Sequence, residues 1–176
     1  MKQSLARRVA DGAPIFLVGF MGSGKSTVGR ALAKKLRYQF IDMDALIEEQ
    51  AGKSISEIFA GDGEPEFRRR ESETIEEFLS LERTVVSMGG GAYAPRENRL
   101  RVRQAGITVW IDCPIDLCLS RAVKETNRPL LGSYPVMVAL YRKRLPSYRQ
   151  VDFVVHTESH SPLRIASEIV RMLGLS

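Results

Sequence analysis

Cysteine, histidine and long apolar runs are all scarce in this chain of 176 residues. Its two cysteines, Cys113 and Cys118, form neither a Cys-x-x-Cys pair nor part of a metal quartet, and they read as free, half-buried thiols in a reducing compartment. The two histidines, His156 and His160, stand four apart. Thr157, Ser159, Ser161 and Pro162 mark that stretch as loop, so no helical metal pair is expected there. No run of about 18 apolar residues exists, which argues against a transmembrane helix. No basic run exceeds the triplet Arg68-Arg69-Arg70, and there is neither an internal repeat nor a linker. The opening stretch MKQSLARRVADGAP carries Arg7-Arg8 but no apolar h-region. It reads as the frayed start of a cytoplasmic protein.

What is present is an ordinary globular balance, with 44% apolar and 27% charged residues. The length suits one domain, taken as residues 1–176, that can bury a core without staples. Lys and Arg total 26 against 21 Asp and Glu, a formal charge of +5. Arg is the greater part of that basic total, and its fork suits carboxylates and phosphates. Because the positive charges are dispersed, the bias points to small anionic ligands rather than nucleic acid. For most of these arginines a solvated surface is the plain alternative.

Apolar runs alternate with amphipathic stretches. Strands are predicted at 14–19, 38–42, 84–88, 107–111 and 152–155. Helices are predicted at 25–36, 44–51, 64–80, near 96–104, at 115–123, up to about 149, and at 162–173. In the helix at 25–36, Val28, Leu32 and Leu36 recur at steps of four. Ser54-Ile55-Ser56-Glu57 has the form of a capping box and opens another short helix. In the helix at 64–80, Phe67, Ile75, Phe78 and Leu79 should face inward. Residues 124–134 lack periodicity and carry turn residues. Alternation of this kind, with continuously apolar strands, implies a parallel sheet covered by helices on both faces.

Gly19-Phe20-Met21-Gly22-Ser23-Gly24-Lys25-Ser26 matches G-x-x-x-x-G-K-[ST] between a predicted strand and a predicted helix. Such a turn cradles phosphates: its N–H groups point inward and the helix N-terminus favours negative charge. Lys25 would supply charge to the terminal phosphates and Ser26 a hydroxyl to Mg²⁺. Gly52-Lys53-Ser54 imitates the end of this motif, but Ile47 stands where its first glycine should be. It is better read as a helix stop followed by a cap.

A second substrate should lie outside the carboxyl ends of the strands. Three segments fall there. Asp42 and Asp44 would point the same way if extended. One could serve a Mg²⁺ shell and the other orient an acceptor hydroxyl and take its proton. Equally, Asp44 could simply cap the helix at 45–51. Gly89-Gly90-Gly91 permits close approach to a ligand, or is only a flexible turn. Arg68, Arg128, Arg142, Arg144 and Arg149 offer forks for a carboxylate. On a helix the members of the Arg68–Arg70 triplet point about 100° apart, so they cannot all face one ligand.

Taken in order, the segments GFMGSGKSTVGR (19–30), FIDMD (40–44), GKSISEIF (52–59), FRRRE (67–71), GGG (89–91), NRPLL (127–131) and KRLPSY (143–148) resemble the shikimate kinase family. The likeness runs from about residue 14 to about residue 162. It implies a three-layer αβα P-loop kinase fold with a five-stranded parallel sheet. It also implies a substrate-binding insertion at about 43–80 and a lid at about 123–135. The implied reaction moves the γ-phosphoryl group of ATP, with Mg²⁺, to the 3-hydroxyl of shikimate. By matched position, Gly22, Ser23, Gly24, Lys25, Ser26 and Thr27 would form the phosphate cradle. Asp44 would hold the acceptor hydroxyls, and Arg68 and Arg144 its carboxylate. Gly89, Gly90 and Gly91 would form the wall. Ser26 and Asp42 would serve the metal. Arg128 would close over the phosphates. Arg121 would stack on adenine, with Pro162, matched across a one-residue gap, on its other side. The implied partners are small molecules, with neither nucleic acid nor membrane, and the chain is taken as a monomer. Two alternatives remain at this stage: a gluconate-type P-loop kinase, and an ATP-binding regulatory module without turnover.

Overall fold

The computed structural model describes residues 5–124, 133–157 and 161–175. Five strands form one sheet: β1 (Ile15–Val18), β2 (Gln39–Asp42), β3 (Thr84–Ser87), β4 (Ile107–Asp112) and β5 (Phe153–His156). Every pairing is parallel and the order is β2-β3-β1-β4-β5. Connections from the central β1 leave toward one edge and return on the other. The carboxyl end of β1 is therefore a switch point, where a ligand crevice opens.

The helices among the described residues are α1 (Leu5–Ala10), α2 (Lys25–Leu36), α3 (Met43–Ala51), α4 (Ile55–Gly61), α5 (Gly63–Phe78), α6 (Arg96–Ala105), α7 (Ile115–Lys124), α8 (Tyr134–Tyr148) and α9 (Pro162–Met172). Side chains alternate across a strand, so β1 serves both faces of the sheet. Ile15 and Leu17 pack with Val28 and Leu32 of α2 and Ile165 and Ile169 of α9. Phe16 and Val18 pack with Met43, Ile47, Ile75 and Val102 on the opposite face. Helices on both faces explain why β1 is an unbroken apolar run and why all four residues of β3, Thr84 and Ser87 included, are buried.

Local signals placed several boundaries. The helix predicted at 25–36 is α2, entered through Gly24 at φ 94°. The capping box at Ser54 and Glu57 is fully formed at the start of α4. Three expectations need correction. The N-terminal stretch is not frayed over residues 5–10 but forms α1. There Arg8 donates to the carbonyls of Arg103 and Gly106 and pairs with Asp152 at 3.1 Å, an anchor with no local sequence signature. Both cysteines are buried rather than half-buried, at 2% and 0% exposure. The long helix ends at Phe78, leaving Leu79 as a half-buried cap, and its inner face also carries Glu71 and Thr74. No helix among the described residues is long and apolar enough to cross a membrane.

Candidate active site

The turn between β1 and α2 wraps a cavity of about 290 Å³ at the carboxyl edge of the sheet. Gly22 holds φ 71°, and a Cβ there would collide with the Cys118 carbonyl oxygen, so this position tolerates only glycine. Lys25, the first residue of α2, is buried. Its Nζ donates to the carbonyls of Gly19 at 3.0 Å and Phe20 at 2.8 Å. The ammonium is thus held inside the loop. Ser23 is 1% exposed and its hydroxyl finds no partner among the described residues. A buried polar group left unpaired costs free energy, which suits a loop built to receive further acceptors.

Ser26 Oγ donates to Asp42 Oδ2 at 2.5 Å and lies 3.2 Å from Ser87 Oγ. These three oxygens come from α2, β2 and β3. A compact set of hard oxygens with one carboxylate suits Mg²⁺, which takes few protein ligands beside phosphate and water. The other oxygen, Asp42 Oδ1, accepts from the N–H groups of Asp44 and Ala45 and caps α3. The cap is therefore Asp42, not Asp44. Asp44 sits in the first helical turn rather than in an extended segment, yet both aspartates line the cavity.

The far wall is the turn after β3. At Gly89 a Cβ would come 2.8 Å from Asp44 Oδ1 and 2.9 Å from Glu71 Oε1, so two carboxylates meet against this backbone. At Gly91 a Cβ would collide with Arg68 Nη1 and lie 2.9 Å from Arg144 Nη2, so two guanidinium groups converge there. Gly90 joins the halves. A Cβ on it would be 3.4 Å from the Met21 nitrogen of the phosphate loop and 3.7 Å from Arg144 Nη1. Arg68 is anchored by Glu71 at 2.6 Å and by Glu64 at 3.1 Å. Arg69 instead pairs with Glu66 and Glu73, and Arg70 with Glu66, so the triplet fans out as helix geometry requires.

Charge here is finely set. Burial pushes the Glu71 carboxyl up to about 7 against the pull of Arg68, with repulsion from Asp44 adding to the rise. Arg68 loses some of its affinity for protons through burial, but Glu71 and Glu64 more than restore it. The cavity also touches Arg121, Thr157 and Pro162 at its other end. Arg121 Nη1 lies 3.8 Å from Cys113 Sγ. A hydrogen bond from Cys118 holds the Cys113 thiol low, and the same contact holds Cys118 high.

Of the residues singled out from sequence, Gly22 to Thr27, Asp42, Asp44, Gly90, Arg121 and Pro162 line this one cavity. Gly89, Gly91, Arg68 and Arg144 stand in or behind its glycine wall. Arg128 and His160 lie outside the described residues. His156 ends β5, exposed and paired with Asp112 at 3.0 Å. Sequence reasoning passed over Glu71, Ser87 and Tyr148 as site residues. Only Glu71 left a signal, three positions after Arg68 on a helix, where opposite charges meet.

The family described as shikimate kinase matches residues 21–174. A shikimate kinase from Persephonella marina is 43% identical over 157 residues, covering 89% of this chain and 96% of that protein. The solved structure of a shikimate kinase from Acinetobacter baumannii in complex with shikimate superposes with a TM-score of 0.87 at 35% identity, covering 96% of both chains. A gluconokinase from Sinorhizobium meliloti reaches a TM-score of 0.61 at 20% identity over 93% of both chains, a likeness of fold alone. The chain belongs to the shikimate kinase family.

Proposed function

We propose that this chain transfers the γ-phosphoryl group of ATP to the 3-hydroxyl of shikimate, giving shikimate 3-phosphate and ADP. The observation that carries the reading is the position of Gly90, wedged between Met21 of the phosphate loop and Arg144 of the guanidinium pair. A ring acid gripped at Gly91 would present its hydroxyls to Asp44, beside the end of a nucleotide chain lying in the loop. Arg68 and Arg144 hold the carboxylate by paired N–H bonds. Asp44 orients the acceptor hydroxyl and takes its proton. Lys25 and Arg128 neutralise the charge of the transferring group. The Gly22–Thr27 backbone holds the phosphates, and Arg121 and Pro162 flank the base. Ser26 and Asp42, with Ser87 beside them, would hold Mg²⁺, which supplies further charge neutralisation when bound. Phosphoryl transfer needs positioning and charge compensation more than covalent chemistry, and these residues supply both. We take the enzyme to work as a cytoplasmic monomer on small molecules.

The test is product formation from Mg-ATP with shikimate, quinate, gluconate or no acceptor. ADP with a shikimate product one phosphate heavier is the expected result. ADP with gluconate alone would move the chain to another acceptor and unseat Arg68 and Arg144 as the grip. Nucleotide binding without turnover would point to a regulatory module.

A further inference from the structure

We propose that the Tyr148 hydroxyl is a positioning group for the acceptor pocket, locking the Gly90–Gly91 peptide and Arg144 into one unit. Tyr148 is wholly buried at the end of α8, and its Oη donates to the Gly90 carbonyl at 2.5 Å. Its ring packs beside Trp110 at 6.1 Å between centroids, which fixes where the hydroxyl points. Arg144 lies one turn earlier on the same helix, also buried, so the two side chains share a face. Burial raises the Tyr148 hydroxyl's affinity for its proton, opposed by the Arg144 guanidinium beside it.

The rest of the wall shows why this bond matters. The Gly89 carbonyl accepts from the Ala92 N–H and the Gly91 carbonyl from the Ala94 N–H, both at 3.1 Å. Asn98 Nδ2 holds the Ala92 carbonyl at 3.1 Å, and Arg99 Nη1 holds the Ala94 carbonyl at 2.8 Å. At Gly90 the tyrosine hydroxyl does this work. Glycine has the softest backbone dihedrals, so a run of three would otherwise drift. Because the peptide unit is planar, fixing the Gly90 carbonyl fixes the Gly91 N–H on the opposite side. Among the described residues neither the Gly90 nor the Gly91 N–H donates to another backbone carbonyl. An acceptor substrate could take these N–H groups as donors.

The test is Tyr148→Phe, which keeps the ring and deletes only Oη. It rests on the shikimate reading, and wild-type turnover with shikimate checks that reading separately. The KM for shikimate should rise at least about fivefold, as expected if a loosened wall forfeits about one hydrogen bond's worth of binding, while the KM for ATP stays within about twofold. Ser147→Ala, which removes a bond to the Ala94 carbonyl from the same helix, should lower Tm without moving the shikimate KM. In the Tyr148→Phe/Arg144→Lys double variant the two effects on shikimate KM should be non-additive. An unchanged shikimate KM in Tyr148→Phe, or an equal rise for both substrates, would overturn the proposal. So would strict additivity with Arg144→Lys.

Discussion

Arg68 on α5 and Arg144 on α8 bring their guanidinium groups together against Gly91, a residue with no side chain to keep them apart. Two like charges meeting this way are costly unless anions compensate. Glu71 and Glu64 compensate Arg68 in this structure. A substrate carboxylate between the two forks would complete the neutralisation. The glycine at 91 is thus a condition for the proposed grip, not merely for the turn.

Gly91→Ala tests that condition. The added methyl would meet guanidinium atoms, Arg144 Nη2 at 2.9 Å and Arg68 Cζ at 3.0 Å, which are the far ends of flexible side chains. The fold should survive while the grip opens. The shikimate KM should rise at least about tenfold with Tm little changed, a loss of about 1.4 kcal/mol in acceptor binding. A variant with wild-type shikimate KM would place the carboxylate elsewhere.

Asp44→Asn separates chemistry from nucleotide binding. The change keeps the shape of the side chain but removes its capacity to take a proton. Turnover should fall by about a hundredfold or more, the usual worth of a positioned base, with ATP affinity held within about twofold. Because α3 is capped by Asp42, Asp44→Asn should leave Tm nearly unchanged. Unaltered kcat would remove Asp44 from the acceptor site.

Glu71 gives a pH signature. Its carboxyl is 2% exposed, and burial pushes it up to about 7 from an ordinary 4.5. A raised pKa means that the folded state binds the proton more tightly. Its stabilising contribution is therefore complete below about 4.5 and is lost as pH rises through about 7. The size is on the order of 3 kcal/mol. Glu71→Gln should abolish that slope: wild type should lose stability relative to the variant between about pH 5 and about pH 8 in urea unfolding. Parallel stability curves for the two proteins would show that Glu71 stays ionised throughout.

Much of this was legible in the sequence because the signals are local. The P-loop spacing, the capping box at Ser54 and the helix at Lys25–Leu36 each follow from neighbours a few residues apart. The two aspartates were found for a reason that was only half right. Strand geometry holds for Asp42, but Asp44 has already entered α3, and the cavity is reached by the bend between them. What stayed hidden depends on distant pairings. Ser87 reaches Ser26 only because β3 lies beside β1, and Arg8 matters only because α1 docks against Asp152. Tyr148 closes the segment KRLPSY, but nothing local says that its hydroxyl meets Gly90.

In the proposed reaction two substrates meet across Gly90, each held by its own residues. The most direct test is the pair of Michaelis constants in Arg144→Ala. Removing a guanidinium from a buried carboxylate grip should weaken shikimate by about 2 kcal/mol or more, at least about thirtyfold in KM, and leave ATP within about twofold. A shikimate KM unchanged from wild type, or an ATP KM raised in step with it, would contradict the arrangement.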